Sequence, residues 1–234
     1  MRRFTYVFYV CFFLTVPSIF SQNGDNLVKE DRGNIIIKQN REIKGKDYLY
    51  EEWSKGMLVL NDSIFSMQDY LKYDALKDRV LIKNMSNIEE VIEINDKSLT
   101  GFSILEKDRN IKHDFVKLQK KYFTEVSEMG FYEVVFNLQN TNYFIKRTTK
   151  ILYDPNRSEG TQTINNYPLE YRDKQTYYIK NKDGMYAAIR LNKKEINTVL
   201  NQHPNEISAF VKRNKINYSK ESDVMKLVNY YYSL

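Results

Sequence analysis

From Trp53 to Leu191 the chain alternates apolar and polar side chains in short runs, spaced roughly ten residues apart and broken by Asn, Asp and Ser. A period of two suits a strand with one buried face and leaves no room for a helix of useful length, so this stretch must become a sheet. Residues 56–60 (GMLVL) and 63–67 (SIFSM) flank Asn61-Asp62, a two-residue turn of hairpin type. Residues 70–76 and 79–84 repeat the arrangement around Lys77-Asp78, and residues 89–94 and 99–105 repeat it around NDKS. The clearest hairpin joins residues 131–138 to 142–152 through QNTN: Tyr132, Val134 and Phe136 alternate with Glu133, Val135 and Asn137. Lys182-Asp183-Gly184 turns a further pair, while residues 114–123 read equally as strand or short helix.

After Leu191 the period changes to that of helices. Asn192 caps a helix with Glu195 three residues on, and Ile196, Val199 and Leu200 share a face. Pro204 suits a first helical position, with His203 before it as a cap, and Ile207, Phe210 and Val211 repeat the spacing. Ser219 is the expected cap of a third helix, whose stripe is Val224, Leu227, Val228 and Tyr231. The expected fold is therefore α+β: a mainly antiparallel β meander, as a roll or partly closed barrel, with three short C-terminal helices packed on it.

The first residues carry Arg2-Arg3, an apolar run from Phe4 to Val16, and the breakers Pro17 and Ser18. That run is too short to span a bilayer, which needs about 20 apolar residues, and reads as a secretory signal peptide cleaved between Ser21 and Gln22. The only cysteine, Cys11, lies inside it, so the exported chain is expected to hold together by its core alone, without disulfides or a transmembrane span. Removing the two leader arginines leaves 34 basic against 30 acidic residues. The small excess is spread along the chain as a solvated face; in an exported protein it argues against nucleic acid and leaves anionic envelope polymers as candidates. The expected organisation is 1–21 signal peptide, 22–47 flexible segment, 48–191 antiparallel β domain and 192–234 helical segment. Ile35, Ile36 and Ile37 form an apolar island in the flexible segment, read as an edge strand of this chain or of a partner.

The strand-like runs, GFYEVVF, the connection YYIKNKDGMYAAIRLNKKEI and above all the closing KRNKINYSKESDVMKLVNYYYSL resemble a family of exported proteins of Gram-negative bacteria, over about Gly56 to Leu234. No activity is assigned to that family. The resemblance implies export and fold and transfers no functional residue.

Chemistry is conspicuous by what the residues fail to form. Asp154, Asn156 and Ser158 occupy the first, third and fifth places of a calcium loop, but the sixth and twelfth hold Glu159 and Asn165 in place of Gly and Glu, so no calcium is expected. Two histidines, His113 and His203, are too few for a zinc site, and no metal ligand or cofactor is expected. His113-Asp114 suggests an oriented base of the His-Asp kind, but adjacent side chains need not face each other, and the pair is read as an exposed turn. Glu51-Glu52 and Glu89-Glu90 are not expected to be glycosidase acids, because adjacent residues on a strand face opposite ways. With no Gly-x-Ser-x-Gly elbow and no phosphate-cradling glycine loop, no catalytic residue is assigned.

Aromatics are the surplus, and Tyr230, Tyr231 and Tyr232 span about 200° of helix, so at least one ring leaves the core stripe. Tyr230 and Tyr232 are the candidate partner surface. The expected function is a non-catalytic binding or structural module of the cell envelope, in the periplasm or at the outer-membrane surface, with an envelope protein or glycan as partner; the alternative is a periplasmic carboxylate-based hydrolase.

Overall fold

The computed structural model describes residues 30–31, 34–35 and 41–234, except 62, 85, 88, 95–96, 126, 128 and 156–166. The expected signal peptide, its expected Ser21-Gln22 junction, Ile36 and Ile37, and the calcium-like loop beyond Pro155 lie outside the described residues. The chain divides into two units, residues 1–41 and 42–234. In the first, β1 (Glu30–Asp31) pairs antiparallel with β2 (Asn34–Ile35), so Ile35 of the apolar island lies in a strand.

The second unit holds eleven strands in one sheet and three C-terminal helices. It opens with β3 (Ile43–Lys44), followed by β4 (Ser54–Leu60), β5 (Ser63–Asp74), β6 (Arg79–Lys83) and β7 (Val91–Glu93). Next come β8 (Leu99–Glu106), β9 (Ile111–Leu118), β10 (Gly130–Leu138), β11 (Thr141–Tyr153), β12 (Leu169–Lys180) and β13 (Tyr186–Ile189). Every pairing is antiparallel except β3, which lies parallel to β12 through Leu169 and Glu170. The hairpin turns use residues that tolerate left-handed backbone: Asn61, Gln139 and Asn140 at φ 44°, 48° and 61°, and Gly184 at 79°. The ambiguous stretch 114–123 resolves as the end of β9 and a single 3-10 turn, Lys120–Tyr122.

The strand order is β13-β12-β11-β10-β9-β8-β4-β5-β6-β7, so β7 and β8 are not the hairpin that their spacing around NDKS predicts. Instead β8 pairs with β4, Leu58 facing Phe102. The connection 94–98 thus crosses four strand positions, about 19 Å on a flat sheet, which is nearly its full extended reach. The sheet has to curl. A bulge does this: Ser54 faces Leu71 but Gly56 faces Met67, so four residue steps of β5 match two of β4. The runs SIFSM and YLKYDAL are consequently one bent strand. A side chain at Gly56 would strike the Ser103 carbonyl of β8, so only glycine fits where these strands approach.

The curl brings the β5–β6 turn against β11, where the Lys150 amide donates to the Ala75 carbonyl at 3.1 Å. This contact continues β11 past the start of β10 and half-closes the roll. The concave side holds Leu71, Tyr73, Val80, Leu99, Phe102 and Phe115, all buried. Phe102 and Phe115 stack at 4.5 Å.

The helices are α1 (Lys193–Val199), α2 (Pro204–Asn214) and α3 (Glu221–Tyr232). The stripe Val224, Leu227, Val228 and Tyr231 is buried against Phe144 and Ile179 of the sheet, with Ile196 and Ile207 from α1 and α2. Asn192 caps α1 as expected, its Oδ1 accepting from the Glu195 amide at 2.9 Å. The other two caps differ. His203 precedes α2 but at φ 54° is left-handed, away from the extended geometry that lets a side chain reach the free amides. Ser219 stands one residue too early; Lys220 takes the capping position of α3 without a side-chain bond, and Asp223 instead accepts from the Asn217 amide. Among the described residues no helix is long and apolar enough to cross a membrane.

Candidate functional site

Strand register places a row of charge on the face that carries the concave core and the core under the helices, two of the three buried clusters among the described residues. Glu133 stands directly opposite Lys146, and His113 directly opposite Ile104 on the same face. The row runs from Glu106 Oε2 to His113 Nε2 (3.3 Å), from His113 Nδ1 to Glu133 Oε1 (2.8 Å), and from Glu133 Oε2 to Lys146 Nζ (3.1 Å). It ends where Lys146 Nζ meets Glu221 Oε2 of α3 at 3.1 Å. It sits at the seam between the concave core and the core under the helices. Glu133 and Lys146 are each 8% exposed, a depth at which a charge persists only when paired.

Hydrogen bonding by Glu133 raises the His113 pKa against the opposing effect of burial. Burial pushes Glu133 up, but the His113 hydrogen bond and the Lys146 charge outweigh it and hold the carboxyl below its usual range. For Lys146, burial pulls down and the Glu133 and Glu221 charges prevail, raising it. All three shifts favour the charged forms, so the row is a set of ion pairs with its hydrogen-bonding atoms turned on one another. Asp114 lies on the opposite face and pairs with Lys112 at 2.7 Å, as strand alternation requires.

The second feature is a cavity of about 690 Å³ at the half-closed seam of the roll. Its outer wall is the turn 75–78, held by the fully buried Asp74, whose Oδ1 accepts from the Leu76 and Lys77 amides and whose Oδ2 binds Arg79 Nε at 2.8 Å. Its floor is tied by Asp78: Oδ1 accepts from Tyr73 Oη and from the Phe131 amide, and Oδ2 meets Arg147 Nη2 at 3.3 Å. Gly130 makes this approach possible, since a Cβ there would collide with Asp78 Oδ2 and crowd Arg147 Nη2. Lys77, Lys117, Lys120, Glu93 and Thr149 add to the polar lining, and Val80, Leu99, Met129 and Phe131 are among its apolar residues. None of this was legible in the sequence, because the lining comes from the turn after β5, from β9, and from the starts of β10 and the end of β11.

A third feature is a cleft of about 480 Å³ in which Glu51, Glu52, Glu106 and Asp108 meet beside Tyr50. The expectation that Glu51 and Glu52 face opposite ways does not hold, because they lie in bends before β4 and not on a strand. Glu89 and Glu90 are exposed, and Glu90 accepts from Asn84. Among the described residues no group of three or more His, Cys, Asp or Glu side chains is placed to hold a metal ion.

Tyr230 and Tyr232, the candidate partner surface, are half-buried and engaged inside the chain. Tyr230 stacks on Phe210 at 4.1 Å, and Tyr232 stacks on Tyr143 at 3.9 Å while its hydroxyl donates to the Lys180 carbonyl. The exposed aromatic rings among the described residues are Phe65, Tyr122, Tyr153 and Tyr167; the half-buried Tyr48 and Trp53 carry lysines, with Lys72 over Tyr48 and Trp53 at 4.4 and 5.1 Å and Lys83 over Trp53 at 5.2 Å. Comparison of the chain with protein-family models, with curated proteins and with solved structures finds no match in any of the three.

Proposed function

We propose that this chain is an exported cell-envelope protein that works as a non-catalytic binding module, with the seam cavity as its ligand site. The observation that carries the reading is the Asp78 network. It spends both carboxylate oxygens on Tyr73, Phe131 and Arg147 to hold a cavity of ligand size open, which is the preorganisation a binding site needs. The leader supports export. The test is to express the full chain in a Gram-negative host and recover it from the envelope fraction with its first residue determined. The recovered protein is then incubated with envelope glycans and proteins. A retained component that mass spectrometry returns chemically unchanged supports the module; recovery in the cytosol, or retention of nothing, overturns it.

A carboxylate-based hydrolase is the second reading, favoured by the cleft where Glu106 meets Glu51, Glu52 and Asp108 with His113 behind it. Cleavage of the retained component, lost in Glu106→Gln, would establish it in place of the first.

A further inference from the structure

We infer that the seam cavity receives an oxyanion, a carboxylate or phosphate group, through Lys77, Lys117 and Lys120. This rests on the reading of the cavity as a ligand site and names the chemistry of its ligand. The charges in the wall sort into two kinds. Arg79 is matched by Asp74 and Glu93, at 2.8 and 2.6 Å, and Arg147 by Asp78. These guanidiniums are structural, since they hold the turn and the floor.

The three lysines have no carboxylate partner among the described residues, and Lys117 Nζ rests 5.5 Å from the centre of the Phe131 ring. They come from three separate elements: the turn after β5, the end of β9, and the 3-10 turn 120–122. A merely solvated face would scatter them. Here the curl of the sheet collects around one cavity three lysines without a carboxylate partner among the described residues.

Beside the Asp78–Arg147 pair the lining is apolar, with Val80, Leu99 and Phe131 buried. The two lining carboxylates, Asp78 and Glu93, are held by Arg147 and Arg79, so the positive charge left over is that of the lysines, and the partly apolar wall strengthens each contact they make to an anion. Lysine ammonium groups act as point charges and accept oxyanions in varied orientation, whereas the guanidiniums of Arg79 and Arg147, which would demand one geometry, already face Asp74, Glu93 and Asp78. The cavity is therefore a site for charge more than for a particular outline, and it takes carboxylate and phosphate by the same contacts.

Isothermal titration calorimetry on the full chain tests this with four probes: pyrophosphate and orthophosphate as the phosphate arm, a galacturonate oligomer as the carboxylate arm, and maltotriose as the neutral control. An anionic probe is expected to bind, and the tighter arm identifies the source. Lys117→Gln with Lys120→Gln is expected to weaken that binding about a hundredfold, at about tenfold per lysine, with an unchanged thermal midpoint. Raising salt from 50 to 200 mM is expected to weaken the wild type more than the double variant. Lys77→Gln, on a different element, is expected to give a further loss. Equal binding of maltotriose by wild type and double variant would overturn the oxyanion and leave the module intact. Binding of no probe, or undiminished anion binding by the double variant, would overturn the inference as well.

Discussion

His113 Nδ1 lies 2.8 Å from Glu133 Oε1 as a diagonal pair across β9 and β10, since the residue directly opposite Glu133 is Phe115. This contact joins the charges of the concave side to those under the helices, and it titrates. The fold raises the His113 pKa, so its contribution is complete below the unfolded value near 6.5 and disappears as pH rises through the higher folded value. The fold lowers that of Glu133, so its contribution is present above the unfolded value of 4.5 and disappears as pH falls through the lower folded one. Stability should peak between those two unfolded values and decline by on the order of 1 kcal/mol toward pH 9. Thermal midpoints of the wild type and His113→Gln measure it: the alkaline decline should vanish in the variant, and equal slopes would refute the assignment.

Lys146 is the link whose loss leaves Glu221 without its lysine and the buried Glu133 with His113 alone. Lys146→Met should cost about 3 kcal/mol in urea unfolding, because a buried carboxylate keeps only one of its two partners. Adding Glu133→Gln should recover part of that loss, a coupling that a double-mutant cycle reads directly.

Asp74 governs the turn that half-closes the roll. Asp74→Ala strands the Leu76 and Lys77 amides and leaves Arg79 with Glu93 alone, at a cost of about 1–3 kcal/mol. The local signature is faster hydrogen exchange at the Lys150 amide, which donates to Ala75. Exchange at Lys150 equal to wild type would show that the turn does not hold the seam.

Two glycines should respond differently to alanine. At Gly184 a Cβ meets open space and the cost is that of a left-handed backbone, about 1 kcal/mol. At Gly56 the obstacle is the Ser103 carbonyl, part of the β4–β8 pairing, and the variant should lose at least about 3 kcal/mol or fail to fold. Chemical denaturation of both variants decides the comparison.

Tyr232 anchors α3 by its ring on Tyr143 and its hydroxyl on Lys180. Tyr232→Ala should destabilise by about 3 kcal/mol and Tyr232→Phe by about 1 kcal/mol. A surface exposed for a partner would instead lose binding at constant stability, and calorimetric unfolding separates the two.

Local order was readable because its causes are local. Alternation around Tyr132 and Phe144, Asn and Gly at the turns, the Asn192 and Glu195 capping pair and the α3 stripe each depend on residues a few positions apart, and they determine strands, hairpins and helices. Even here His203 and Ser219 fail as caps, His203 because its backbone is left-handed and Ser219 because α3 starts one residue later than its position requires.

What only the tertiary structure decided is which strands become neighbours. The β8–β4 pairing follows from the bulge opposite Gly56 and the short connection 94–98, and from it follow the Ala75–Lys150 contact and the cavity. The partners of His113, and the convergence of Lys77, Lys117 and Lys120, arise in the same way. Such contacts are selected by burial and fit between segments distant in the chain, and neither leaves a mark in the spacing of residues within any one segment.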